Sequence, residues 1–264
     1  MTLSQSAAAK AARILWTHWQ DGTRLAALPE DCRPHSRADG YLIQAAMRAA
    51  SGRAQFGWKI AATSVAGQTH IGVDGPLAGY LLCGQIDADA GSVSLQGSQM
   101  GVAEVEFAFR MARSLGARAQ PYQVDEVLDA VATLHPAIEI PDSRFEDFAT
   151  SGAPQLIADN ACAHRFVLGS AASDDWRQID LSAHLVQCVA TGRPPMQGKG
   201  ENVLGDPRIA LTWLANELRA NAMTLQAGQV VTTGTCLVPV PISPGDELQA
   251  DFGPIGRISA RFVA

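Results

Sequence analysis

The sharpest chemical signal in the chain is Ala103-Glu-Val-Glu-Phe107. In a strand, successive side chains point to opposite faces, so Glu104 and Glu106 share one face while Val105 and Phe107 share the other. Two carboxylates so placed, roughly 7 Å apart at their Cα atoms, can converge on one hard cation. The same pattern also describes a half-exposed strand with a solvated acidic face. Glu139 bears on the choice. It sits in Pro136-Ala-Ile-Glu-Ile-Pro141 with little else polar around it, and a carboxylate buried there is costly unless it is paired or bound to metal. Three such oxygen donors suit Mg²⁺ or Mn²⁺; an ion pair from Glu139 to Arg144 is the competing reading. Lys59 lies in Phe56-Gly-Trp-Lys-Ile60 and is one of only three lysines, with Lys10 and Lys199. A partly desolvated lysine can clamp an anion or move a proton, or it can simply snorkel from a strand end.

Other candidates are weaker. Gly198-Lys199-Gly200 and Thr232-Thr-Gly-Thr235 can offer backbone N–H groups to a carboxylate, although glycine turns are often only turns. The sequence holds no phosphate-binding glycine loop, serine-nucleophile elbow or paired-histidine zinc helix. The five cysteines are scattered without a C-x-x-C pair, which points to a reducing compartment rather than a disulfide framework. With 26 acidic and 20 basic residues, a net charge of -6 and no basic cluster, nucleic acid is a poor partner. No apolar run reaches the ~18 residues of a membrane span. Residues 1–12 lack the apolar core of a signal peptide, so a cytoplasmic protein is expected.

These side chains need elements to hold them. The 264 residues allow one large domain, or a small one plus a larger one. Apolar spacing predicts a helix over 8–20 stopped at Gly22, and a second from Asp39 to Ser51. These form a small helical N-terminal part, residues 1–55. From Phe56 the pattern turns to strands: 57–61, 78–82, 102–110, 137–140, 165–168, 186–191 and 230–233. Residues 247–252 and 257–262 read as a hairpin. Between them, apolar positions 124, 127, 128, 131 and 134 predict a helix ended by His135-Pro136. Asp206-Pro207 caps another over 208–219. The expected fold class is α+β, with a rolled or closed β-rich body over 56–264.

In chain order, Asp39-Gly-Tyr-Leu-Ile-Gln44, Gly57-Trp-Lys-Ile60, Ile71-Gly-Val-Asp74, Glu104-Val-Glu106, Pro136-Ala-Ile-Glu139, Ser143-Arg-Phe145, Ala158-Asp-Asn-Ala161, Leu204-Gly-Asp-Pro207 and Thr233-Gly234 resemble the fumarylacetoacetate hydrolase superfamily. Within it they look most like the branch of 2-oxopent-4-enoate hydratases and 4-oxalocrotonate decarboxylases. The resemblance implies that family's fold, a Mg²⁺ or Mn²⁺ held by Glu104, Glu106 and Glu139, and Lys59 as the active-site lysine. It adds Asp159 and Cys162 as catalytic candidates. Asp74, Leu77, Lys199, Thr233 and Gly234 join Lys59 as substrate-binding candidates. Partners implied are a small 2-oxo or 2-hydroxydienoic acid and further copies of the chain, alone or with a pathway decarboxylase or hydratase.

Three positions depart from the branch's pattern: Leu77 where an Asp is frequent, Cys162 where a Ser is frequent, and Val102 where an Arg is frequent. Cys162 is then either a proton-handling group or a small packing residue. The expected reaction is metal-dependent addition of water to a 2-hydroxy-2,4-dienoate in aromatic-compound catabolism. Decarboxylation of a 2-oxo-3-ene-dioate and a non-catalytic partner role are the alternatives.

Overall fold

The computed structural model describes residues 3–264. Two helices open it. In α1 (Gln5–Asp21) the Ser4 hydroxyl accepts the Ala7 N–H, and Gly22 closes the helix in the left-handed conformation. In α2 (Arg37–Ser51) Ser36 is the N-cap, accepting the Asp39 N–H. The helix therefore starts two residues before Asp39, because a serine hydroxyl satisfies an orphan N–H of the first turn. Leu15 of α1 and Ile43 and Met47 of α2 pack with Phe145 and Ala158 in a small core of their own.

The strands follow: β1 (Gln55–Ala61), β2 (Leu77–Leu82), β3 (Ile86–Ala88), β4 (Ser92–Ser94), β5 (Val102–Met111), β6 (Val131–Ile140), β7 (Arg165–Leu168), β8 (Leu185–Ala190), β9 (Met196–Lys199), β10 (Val230–Thr235), β11 (Val240–Pro241), β12 (Glu247–Asp251) and β13 (Arg257–Val263). Helices α3 (Val65–His70), α4 (Val124–Leu128), α5 (Gly152–Ala158) and α6 (Pro207–Ala220) lie between them. One sheet runs β2-β1-β10-β5-β6-β7-β3 with β11 added on β5; a second runs β4-β13-β12-β8-β9. The hairpin of β12 and β13 and the Asp206 cap of α6 stand as the sequence predicts.

The helix expected over 124–134 is a correction. Only Val124–Leu128 is helical, and Val131–Ile140 is a ten-residue strand. Val127 is the only buried residue of α4. Beyond it, the Ala130 carbonyl accepts the Ala112 and Arg113 N–H groups, which draws the chain into register with β5 from Val131 onward. Long-range pairing wins over a local apolar spacing that mimicked a helix. Pro136 lies inside this strand, where its missing N–H removes one ladder bond.

The first sheet is curled. Strands in a flat sheet stand about 4.8 Å apart, and β1 is three strand steps from β6. Yet Lys59 on β1 reaches Glu139 on β6 with Nζ–Oε1 at 3.1 Å. A long side chain and a concave face bring them together.

Candidate active site

The β5–β6 register sets Glu104 directly opposite Glu139 and Glu106 opposite Ala137. Carboxylate oxygens of Glu104, Glu106 and Glu139 all lie within 4.8 Å of one another. Glu106 and Glu139 are buried and Glu104 is partly exposed. The solvated acidic face that E-x-E also allowed is therefore absent at Glu106. The alternative pairing of Glu139 with Arg144 is absent too, since Arg144 pairs with Asp159 and Glu139 with Lys59.

A bulge in β10 supports Glu106. Register with β5 shifts between Thr232 and Thr235, and Gly234 takes φ +94°. This turns the Gly234 N–H onto Glu106 Oε2 at 2.8 Å, where the Thr232 hydroxyl also donates. A Cβ on Gly234 would meet Thr63 Oγ1 at 1.9 Å, so no other residue fits. Glu106 Oε1 and Glu139 Oε2 are buried and receive no hydrogen bond. Burial, then the Glu139 and Glu104 charges, pushes Glu106 well above the usual carboxylate range. Burial pushes Glu139 up to about 7, with Lys59 opposing. Unpaired acceptor oxygens converging in a dry pocket are what a hard divalent cation requires, so the donor set fits Mg²⁺ or Mn²⁺.

Lys59 is 2% exposed. Burial disfavours its charge, but Glu139 and Glu104 outweigh that and hold it firmly as an ammonium. Its second contact is the Ala161 carbonyl at 2.9 Å. That carbonyl is aimed by a strained turn: Asn160, Ala161 and Cys162 all have positive φ, between 50° and 60°. Each costs about 1–2 kcal/mol for a residue with a Cβ. The turn is pinned by Asn160, whose side chain accepts the Tyr80 N–H and donates to the Tyr80 carbonyl. Gly79 permits this close approach, since a Cβ there would lie 2.3 Å from the Asn160 carbonyl oxygen. Asp159, just before the turn, is wholly buried against Arg144 and the Ser143 hydroxyl.

Above the glutamates lies a cavity of about 700 Å³. Lys59, Glu104, Leu77, Cys162 and Gly234 line it, so five candidates from the sequence share one wall system. Burial pushes the Cys162 thiol up to about 12, which keeps it neutral. Other candidates lie elsewhere. Asp74 is 90% exposed and faces Arg37. Lys199 pairs with Glu201 at half-exposed positions. The Thr233 hydroxyl donates to the Phe107 carbonyl. Sequence reasoning missed Thr63, His70, Asn202 and Val238, which also line the cavity. No motif marks them, because segments distant in sequence, the end of α3 among them, bring them there.

The family model described as fumarylacetoacetate (FAA) hydrolase C-terminal matches residues 65–263. The chain is 32% identical over 256 residues to a 2-keto-4-pentenoate hydratase of Paraburkholderia xenovorans (strain LB400), covering 96% of this chain and 94% of the relative. It is 33% identical over 230 residues to a 2-hydroxyhexa-2,4-dienoate hydratase of Comamonas testosteroni, covering 85% and 86%. Among solved structures, it superposes on 4-oxalocrotonate decarboxylase from Pseudomonas putida G7, complexed with magnesium and adipate. The TM-score is 0.90 at 27% identity, with both chains fully covered. In sequence and in fold, the chain belongs to the fumarylacetoacetate hydrolase family.

Proposed function

We propose that this protein is a divalent-metal-dependent hydratase of a 2-hydroxy-2,4-dienoate, giving a 4-hydroxy-2-oxo acid. The observation that carries the reading is the glutamate cluster, in which Glu106 and Glu139 are buried with unsatisfied oxygens while Glu104 and Lys59 line the cavity beside them. The named hydratase relatives support the reaction class. Glu104, Glu106 and Glu139 would hold Mg²⁺ or Mn²⁺. When bound, such a cation supplies Lewis-acid polarisation of the substrate's 2-oxygen.

The chain's own groups do the rest. An ammonium has three donors; Lys59 donates one to the Ala161 carbonyl and ion-pairs with Glu139, which leaves donors for the substrate carboxylate. The Gly234 N–H and Thr232 hydroxyl hold Glu106 in place. Cys162 acts as a neutral wall group and Asp159 as a positioning residue through Arg144. Apolar walls exclude bulk water, which strengthens the charge interactions inside.

The test starts from protein stripped of metal and resupplied with Mg²⁺ or Mn²⁺. Metal-dependent loss of ultraviolet absorbance from 2-hydroxypenta-2,4-dienoate, with a product heavier by one water, is the expected result. No turnover would reject hydration. Release of CO₂ from a 2-oxo-3-ene-dioate would then favour the decarboxylase reading, which the likeness to the magnesium–adipate complex motivates.

Residues 1–55 serve in this reading as a helical cap on a catalytic body spanning 56–264. The enzyme acts in the cytoplasm as a homo-oligomer, alone or with a pathway decarboxylase. The scattered free cysteines support the first point. Leu185 and Val189, exposed on one face of β8, support the second. Among the described residues, no helix is long and apolar enough to cross a membrane. A sedimentation mass equal to a single chain would reject the oligomer.

A further inference from the structure

The cavity is much larger than a five-carbon acid needs, and its walls are uneven in character. At about 700 Å³ it lies in the range that drug-sized ligands fill, roughly 300–1,000 Å³. The charged groups gather at one end, where Lys59 and Glu104 stand. Leu77, Val102, Phe148, Leu156, Leu237 and Val238 make much of the remainder. Among the described residues, Lys59 and His70 are the only lining groups that can carry positive charge. Lys59 already serves the substrate's first carboxylate. A second carboxylate in the far part of the cavity would exchange its hydration for neutral donors, Thr63, Ser64, Asn202 and Thr235, and one imidazole, with no fixed positive charge to offset the loss.

The mouth points the same way. Val65 and Val238, 80% and 79% exposed, are the two most exposed large apolar side chains among the described residues. Val238 lines the cavity, and Val65 lies between Ser64 and Ala66, which line it too. Val65 itself does not line the cavity, and the apolar lining continues out to the exposed Val238. Val102 shares a strand face with Glu104 and Glu106, because all three alternate along β5. It therefore fixes the polarity of the wall next to the glutamates.

Resting on the hydratase reading, we propose that the substrate is a 2-hydroxydienoate with an extended apolar tail beyond C5, alkyl or aryl, and no second carboxylate. Its head lies at Lys59 and the glutamates. Its tail runs past Val102 and Leu237 to the exposed Val238 at the mouth. Val102 and Val238 are specificity-determining residues.

The experiment uses Mg²⁺-loaded full-length protein and unreactive saturated 2-oxo acids, read by calorimetry. Affinity is expected to rise about fourfold per added methylene from 2-oxopentanoate to 2-oxooctanoate, as burial of each CH₂ predicts. 2-Oxohexanedioate should bind more weakly than 2-oxohexanoate. Val238→Asp should bring the ratio of 2-oxooctanoate to 2-oxopentanoate affinity toward one, and Val102→Arg should reverse the preference between the monoacid and the dioate. Affinity that stays flat along the series, or a wild-type preference for the dioate, would overturn the proposal. So would a Val238→Asp protein that keeps the chain-length gain but changes its sedimentation mass, because the valine would then be a contact between copies. Mg²⁺-independent binding of every acid, with no turnover of 2-hydroxypenta-2,4-dienoate, is the separate signature that the hydratase reading itself has failed.

Discussion

Glu139 and Lys59 hold one another in opposite protonation preferences. Burial raises the carboxyl to about 7, while the surrounding carboxylates keep the amine charged. Glu139→Gln keeps the shape and removes a ligand, so metal-dependent turnover should fall at least about 100-fold. The metal-free melting temperature should stay within a few degrees, since Glu104 and Glu106 still face the buried Lys59 ammonium and keep it from being stranded. Near-normal activity in that variant would sink the assignment of the site. Lys59→Met separates substrate binding from metal binding. A fixed positive charge beside the glutamates repels a cation, so calorimetry should find Mg²⁺ binding as tight or tighter while turnover collapses. Weakened Mg²⁺ binding would show that Lys59 serves mainly to support the glutamates. At this scale the glutamate triad was legible because strand alternation and the cost of buried charge are local rules. The Lys59–Glu139 pair was not, since it spans three strand steps. Asp74 and Lys199 are not among the residues that line the cavity, and they pair instead with Arg37 and Glu201.

The Asp206 cap and the terminal hairpin could be read from sequence because each depends on residues a few positions apart. Of the strand over 131–140, residues 137–140 were legible but 131–136 were not, because the partner strand β5 lies far upstream in sequence. The turn over 160–162 has no signature at all, since neither its positive φ values nor its Tyr80 clamp involves glycine at the turning residues. What holds that turn is the buried Arg144–Asp159 pair, in which Arg144 also donates to the Asp142 and Ala163 carbonyls. Trp19 of α1 covers it, with the guanidinium carbon 4.3 Å from the ring centre. Breaking a buried pair strands one charge, so Arg144→Met should cost about 3–5 kcal/mol in urea unfolding. The double variant Arg144→Met/Asp159→Leu should recover much of this, because neither charge then remains. If the single and double variants are equally unstable, the cost lies in lost packing rather than in the stranded carboxylate.

Across the whole molecule, metal binding and protonation compete for the same oxygens, which links stability to pH. A carboxyl whose folded pKa is raised contributes stability that is full below its unfolded value and is lost as pH rises through the folded value. For Glu139 that window runs from about 4.5 to about 7, and Glu106 acts in the same direction. The metal-free protein thus gains stability from these groups on acidification. The metal-loaded protein does not, since ligand carboxylates must be ionised. His164 acts oppositely: burial lowers it to about 4, so its contribution is present above about 6.5 and is lost as pH falls. His164 hydrogen-bonds Trp19 and is not one of the clustered glutamates, so its effect appears in both forms and cancels in their difference. The rise in melting temperature caused by a fixed Mg²⁺ concentration should therefore be largest near pH 8 and shrink steadily toward pH 5.5. Thermal melts with Mg²⁺ or with chelator, taken across that range, test this directly. A metal-induced rise that does not change with pH would mean that the protons on Glu106 and Glu139 are not the ones the cation displaces, and the ligand set would have to be sought elsewhere.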